Sequence, residues 1–446
     1  MSKIVVNKVI DREKLSPLQW MVFILGFLVF FCDGLDTGII GFIAPALLDD
    51  WGITKPDLAP VLSAALVGMS IGAIISGPLS DRFGRKGVII MTTLLFSIFT
   101  IMCGFAGSTT ELMIYRFITG IGLGAAMPNI STVVSEYMPV KRRAFLTGLA
   151  GCGFMLGISS GGVLSAYLLE QHGWANVIVI GGVIPIILLV LLVFKLPEST
   201  QYLIKRNQQA KARPILEKIH GQNFTADTVF VLPELENLDP KQSPVKILFG
   251  KYLWGSAMLW LCCFFSLMVF YLLTSWMPTI LKTAGFSTQQ FSLIAAIFPF
   301  GGVIGAIFMG WYMDKLNPNT VIKYSYLTAF FLFLVAAFVS NSILLLGIAI
   351  FLIGALLVGA QSSLLPLTAI YYPSVCRGVG VSWMHGIGRV GAILGAFYGS
   401  LIFTLDLSLS GIFYILAIPT FISFIALTLK GLKHNKVDPQ AVPEVG

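Results

Sequence analysis

Asp33 and Asp36 interrupt the first long apolar run of this 446-residue sequence, in the segment Phe30-Phe31-Cys32-Asp33-Gly34-Leu35-Asp36-Thr37-Gly38. A carboxylate at membrane depth costs about 2.5–3.5 kcal/mol on insertion scales, so one that persists there faces a polar cavity or a partner and carries function. At spacing i, i+3 the two share a helix face. Two like charges a turn apart repel, which disposes the pair to take up a proton jointly. The competing reading is a structural pair that bonds neighbouring helices. Arg116 and Arg389 interrupt two later apolar runs. A guanidinium keeps its charge, so Arg116 either pairs with Asp33 or Asp36 or clamps an anionic ligand. Arg389 is a lone cation in its run and calls for an anion. His385 lies one helical turn earlier on the same face and titrates near physiological pH. Trp383, Phe264, Phe265, Phe270, Tyr271, Trp276 and Tyr398 offer rings for stacking, although aromatics in such runs are more often packing. The chemistry on offer is proton exchange and anion binding. No catalytic constellation, metal-ligand cluster or phosphate loop is present, so neither an enzyme nor a cofactor is expected.

These residues need helices in a bilayer to position them. The sequence is 56% hydrophobic and 11% charged, against about 25% charged in soluble domains. Hydropathy places twelve spans at about 20–46, 59–80, 87–107, 110–136, 144–168, 174–196, 252–281, 291–313, 321–339, 342–366, 378–404 and 410–430. The expected class is an all-α integral membrane protein. The first run is too long for a secretory signal and reads as a span. The net charge of +8 does not mark a nucleic-acid binder, because its distribution follows the membrane. With both termini cytoplasmic, every Lys and Arg falls on the cytoplasmic side except Lys55, Lys282 and the in-span Arg116 and Arg389, the positive-inside bias. The six cysteines lie in or beside spans without metal-ligand spacing and read as small apolar residues.

The expected organisation is a cytoplasmic N-terminus (1–19), a six-helix bundle (20–196), a polar linker (197–251), a second six-helix bundle (252–430) and a tail (431–446). An internal repeat supports the division. Gly77-Pro78-Leu79-Ser80-Asp81-Arg82 recurs as Gly310-Trp311-Tyr312-Met313-Asp314-Lys315, and Tyr137-Met138-Pro139 with Arg143 recurs as Tyr371-Tyr372-Pro373 with Arg377. Gly157 and Gly161 likewise match Gly391 and Gly395. A nearly constant offset across separate segments indicates a duplicated unit, with a substrate path expected between the halves near the midplane. Asp33, Asp36, Arg116, His385 and Arg389 have no charged mates: the matching positions are Ser266, Val269, Ala349, Gly151 and Met155. They are therefore assigned to function, and shared positions to scaffold. Glu136 and Arg143 are expected to form an inner-gate ion pair, with Arg377 the mate of Arg143.

The segment Gly77-Pro78-Leu79-Ser80-Asp81-Arg82-Phe83-Gly84-Arg85-Lys86 resembles the loop signature of the major facilitator superfamily, and the degenerate copy at Gly310 fits that family. The resemblance implies the major facilitator fold, two pseudo-symmetric six-helix bundles. It also implies a conformational gate role for Asp81 and its neighbour Arg82, with Asp314 in the second copy. Asp81 is expected to accept hydrogen bonds from a neighbouring helix N-terminus, while Arg85 and Lys86 read as topology charges. Within the superfamily, Asp33-Gly34-Leu35-Asp36 resembles the Asp-Gly-x-Asp motif of the aromatic acid:proton symporters. Tyr115-Arg116-Phe117-Ile118-Thr119-Gly120-Ile121-Gly122-Leu123-Gly124 and His385-Gly386-Ile387-Gly388-Arg389 fit the same family.

The resemblance implies a monomeric importer of a small aromatic carboxylate in the inner membrane, coupled to protons. Asp33, Asp36 and His385 are the candidates for coupling, and Arg389, Arg116, His385 and Trp383 for binding. Alternatives are a muconate-type diacid carrier, a sugar porter or a drug/proton antiporter. Pro197-Glu198-Ser199-Thr200-Gln201-Tyr202-Leu203 resembles the sugar-porter linker, but the seventh span lacks that family's glutamines. Gly162 occupies the position where the antiporter signature has proline.

Overall fold

The computed structural model describes residues 3–11, 13–225, 228–232, 243–250, 252–405 and 407–434; Pro233, Pro240 and most of the expected tail lie outside the described residues. Without water to satisfy a backbone at membrane depth, apolar runs of this length close their own hydrogen bonds as helices. The long helices are α2 (Pro17–Trp51), α3 (Lys55–Phe83), α4 (Arg85–Cys103), α5 (Thr109–Tyr137), α6 (Arg143–Lys195), α10 (Leu253–Thr283), α11 (Thr288–Lys315), α12 (Pro318–Phe338), α13 (Ile343–Tyr371), α14 (Ser374–Tyr398) and α15 (Leu409–His434). Helix α6 runs for 53 residues but breaks at Gly173, whose φ of 74° and ψ of 168° are not helical. A positive φ costs glycine nothing and strains other residues. The eleven long apolar helices among the described residues thus supply twelve crossings, the two arms of α6 being the fifth and sixth expected spans.

The short elements are α1 (Val6–Ile10), α7 (Thr200–Lys205), α8 (Gln209–His220), α9 (Pro244–Phe249) and two three-residue strands, β1 (Lys3–Val5) and β2 (Val229–Val231). The strands pair in parallel, with Lys3 opposite Val229 and Val5 opposite Val231. Val6, Val9 and Ile10 of α1 are buried. Gln19 fixes the start of α2: its buried amide donates to Ile10 O at 3.1 Å and to Tyr137 O at 2.8 Å.

Two compact units are present. One comprises residues 1–39, 64–161 and 172–236, the other 40–63, 162–171 and 237–446. In the second unit Lys282 of α10 pairs with Asp49 at the end of α2 and donates to Pro45 O at 3.1 Å. Its core joins α10, α12, α13, α14 and α15 through Leu259, Cys263, Tyr326, Leu364, Met384 and Leu427.

The duplication in the sequence reappears as duplicated backbone contacts. A Cβ on Gly68 would meet Phe117 O at 2.1 Å and one on Gly72 would meet Ile121 O at 2.2 Å. In the second unit a Cβ on Gly301 would meet Phe351 O at 2.2 Å and one on Gly305 would meet Ala355 O at 1.8 Å. Likewise a Cβ on Gly157 would lie 2.0 Å from Phe31 O, and one on its repeat mate Gly391 would lie 2.2 Å from Phe264 O. The same pairs of helices are seated by glycine in both halves, where close backbone approach leaves no room for a side chain.

Candidate functional site

Helix α2 presents the aspartates because its opposite side is occupied. A Cβ on Gly34 would sit 1.8 Å from Phe154 O, and one on Gly38 would sit 2.9 Å from Ile158 Cγ2. That contact holds α2 on α6 and leaves Asp33 and Asp36 directed elsewhere, each 1% exposed. Asp36 meets two other helices. Arg116 of α5 places Nη1 2.9 Å from Asp36 Oδ2, and its Nη2 donates to the Asp36 carbonyl at 3.5 Å. Thr100 of α4 donates to Asp36 Oδ1. Arg116 is itself 1% exposed. Of the alternatives left open for Arg116, the structure places it on Asp36, so a bound anion reaches this guanidinium only if that ion pair opens.

Helix α14 carries the second group of residues and is seated on α10 by three glycines. Gly388 lies against Cys263 Sγ at 2.6 Å from its would-be Cβ, Gly391 against Phe264 O, and Gly395 against Met268 O at 2.2 Å. His385 and Arg389, spaced i, i+4, share one face. His385 is exposed and Arg389 partly buried. No hydrogen bond or ion pair involves Arg389 among the described residues, and no carboxylate lies within salt-bridge distance of it. A guanidinium in an apolar run calls for a counter-ion.

Trp383 stacks on Trp260 with centroids 5.8 Å apart and planes at 28°, and Phe249 meets it edge-on at 5.4 Å. One of its ring faces is therefore spent on protein. Trp276 and Phe270 are core residues: the Trp276 indole donates to Ala396 O at 2.7 Å and Phe270 packs on Phe298.

The helix ends around the starts of α4 and α6 differ from the sequence-based expectation in two respects. First, Glu136 pairs with Arg85 at 3.0 Å and accepts from Ser199 Oγ at 2.5 Å; its partner is not Arg143. Gly84, with a φ of 82°, turns the chain so that Arg85 opens α4 beside Glu136. Arg143 opens α6 beyond the turn Val140–Arg142, and its buried Nε has no hydrogen-bond partner among the described residues. Second, the carboxylate at a helix N-terminus is Glu198, not Asp81. Glu198 Oε1 accepts from the amides of Arg85 at 2.9 Å, Lys86 at 3.1 Å and Ser199 at 2.8 Å. Negative charge is favoured where unpaired amides converge at the start of a helix.

Asp81 is exposed and contributes its carbonyl, which accepts from Arg206 at 2.6 Å. The Arg82 carbonyl accepts from Tyr202 Oη at 3.2 Å. Arg85 and Lys86 are more than topology charges, since Lys86 Nζ donates to Val193 O at 2.8 Å. Asp314 is exposed, and Arg377 Nε donates to Tyr372 O at 3.5 Å. The sequence offered Pro197-Glu198-Ser199 only as a linker resemblance, and the contacts of Glu198, Ser199 and Arg206 were not read from it.

Comparison with known proteins agrees with this architecture. The profile of the Major Facilitator Superfamily matches residues 26–396 and 259–445. The chain is similar to the 4-hydroxybenzoate transporter PcaK of Pseudomonas aeruginosa, 42% identical over 96% of each chain. It is similar to the gallate transporter of Pseudomonas putida, 39% identical over 96% of each chain. With the benzoate transport protein of Acinetobacter baylyi it shares 34% identity over 95% of this chain and 90% of that one. Among solved structures, a D-xylose-proton symporter superposes with a TM-score of 0.71 at 17% identity, over 92% of this chain and 97% of that one, which speaks to fold alone. The chain belongs to the Major Facilitator Superfamily, in the branch that holds these aromatic-acid transporters.

Proposed function

We propose that this protein imports a small aromatic carboxylate across the inner membrane together with a proton, both termini being cytoplasmic and the carrier working as a monomer of two six-helix halves (20–196 and 252–430). It is a transporter and not an enzyme. The observation that carries the reading is Arg389, a guanidinium midway along α14 with no counter-ion among the described residues. The relatives named for 4-hydroxybenzoate, gallate and benzoate support an aromatic carboxylate as that counter-ion.

Arg389 anchors the carboxylate and His385 lies beside it as a second polar contact or proton partner. Arg116 holds Asp36, and proton exchange is assigned to the Asp33/Asp36 pair. Glu136, Arg143, Asp81, Arg82, Asp314 and Arg377 belong to conformational gating, now with Arg85 and Glu198 added. Carrying a monoanion into a negative interior costs about 2.3 kcal/mol per 100 mV, and one co-transported proton cancels that charge.

Binding of 4-hydroxybenzoate to purified protein tests the anchor. Arg389→Gln should weaken binding by tens of fold, corresponding to the roughly 1.5–3 kcal/mol of a charged hydrogen-bonding group. Unchanged affinity would remove Arg389 from the site.

A further inference from the structure

We infer that Gln361 distinguishes a ring-hydroxylated aromatic acid from its unsubstituted counterpart by hydrogen-bonding the hydroxyl, an inference that rests on the aromatic-carboxylate reading above.

Gln361 lies on α13, inside one of the most apolar helices of the chain. Its Oε1 is buried and accepts no hydrogen bond among the described residues. Native structures keep few such orphan acceptors, and each calls for an explanation in function, water or strain. Its amide touches the sulfur of Cys263, which is fully buried on α10. The same sulfur lies under Gly388, the residue before Arg389. Gln361 and the turn that carries Arg389 therefore converge on one atom of a third helix.

Depth agrees with this. Thr368 of α13 meets Met384 of α14, Oγ1 to Sδ, at 2.9 Å. Gln361 precedes Thr368 on α13 and Arg389 follows Met384 on α14, and the two helices are consecutive spans running in opposite directions. At 1.5 Å per residue both side chains originate about 8–11 Å from that contact, toward the same side of the membrane.

A second orphan sits close by. Trp260, one helical turn before Cys263 on α10, has a buried Nε1 that donates to nothing among the described residues. An unmet acceptor and an unmet donor, on the two helices that meet at Cys263 under the turn of Arg389, suit a phenolic hydroxyl, which both donates and accepts. Benzoate lacks that group and leaves both atoms unpaired, and such a loss is what allows a polar site to reject an analogue.

The test is equilibrium binding of 4-hydroxybenzoate and of benzoate to the purified full chain, comparing wild type with Gln361→Met and Gln361→Leu. Wild type should bind the hydroxylated acid more tightly, and both variants should bring the ratio of the two Kd values about tenfold closer to unity, the loss expected for one hydrogen bond. Thermal unfolding of each variant confirms that it is folded. A wild-type ratio already near one, an unchanged ratio in the variants, or equal weakening of both acids overturns the role of Gln361. Failure of wild type to bind either acid is a separate outcome, which overturns the substrate reading and this inference with it.

Discussion

Arg116 and Asp36 form an ion pair with both partners 1% exposed, and that isolation sets what substitution should do. Removing one partner leaves an uncompensated charge in an apolar setting, which costs about 3–5 kcal/mol, whereas replacing both with apolar residues is often close to neutral. Asp36→Leu and Arg116→Met should therefore each lower the thermal unfolding midpoint sharply, while the double variant recovers most of the loss and still fails to couple transport to protons. Additive losses in the double variant, measured by the same unfolding assay, would mean that the two residues do not stabilise each other. The positions of these residues were legible from the sequence, because a charge in an apolar run needs no structure to be seen. Which aspartate Arg116 would take was not. Asp33 and Asp36 share a face within one turn, so the choice of Asp36 depends on how α4 and α5 pack. Gln361 escaped notice because an amide in an apolar run reads as helix-joining polarity until its acceptor is found unpaired.

Among the elements, glycine decides how the helices are seated. Gly157→Ala and Gly391→Ala place a methyl about where Phe31 O and Phe264 O now lie, so α2 and α6, or α10 and α14, must separate. Both variants should lose folded protein and transport. Gly347 has nothing within 4 Å of an added Cβ, and Gly347→Ala should be neutral or stabilising by up to about 1 kcal/mol, the difference in helix propensity. Monodispersity in detergent and the unfolding midpoint check the set, and tolerance of Ala at both 157 and 391 would contradict the close-packing account. The spans, the duplication and its glycines were readable because hydropathy and repetition are local or self-similar signals. The strands β1 and β2 were not, since three residues each carry no periodicity and their partners lie more than two hundred residues apart. Glu198 was hidden for a related reason: its three amide donors belong partly to a distant helix.

For the molecule as a whole, the charge distribution and the unmatched residues point the same way. The scaffold residues come in pairs related by the repeat, whereas Asp33, Asp36 and Arg116 belong to one half and His385 and Arg389 to the other. One half thus supplies the carboxylates assigned to the proton and the other the guanidinium assigned to the anion. Coupling requires that neither half complete the cycle alone, so a defect in proton exchange should spare exchange of substrate for substrate. The most direct test is uptake of labelled 4-hydroxybenzoate into proteoliposomes with an imposed inward proton gradient, comparing wild type with Asp33→Asn. The account predicts gradient-driven accumulation in wild type, abolished by a protonophore, and no accumulation in Asp33→Asn even though substrate counterflow persists. Accumulation in wild type that ignores the gradient, or gradient-driven accumulation in Asp33→Asn equal to wild type, would contradict it.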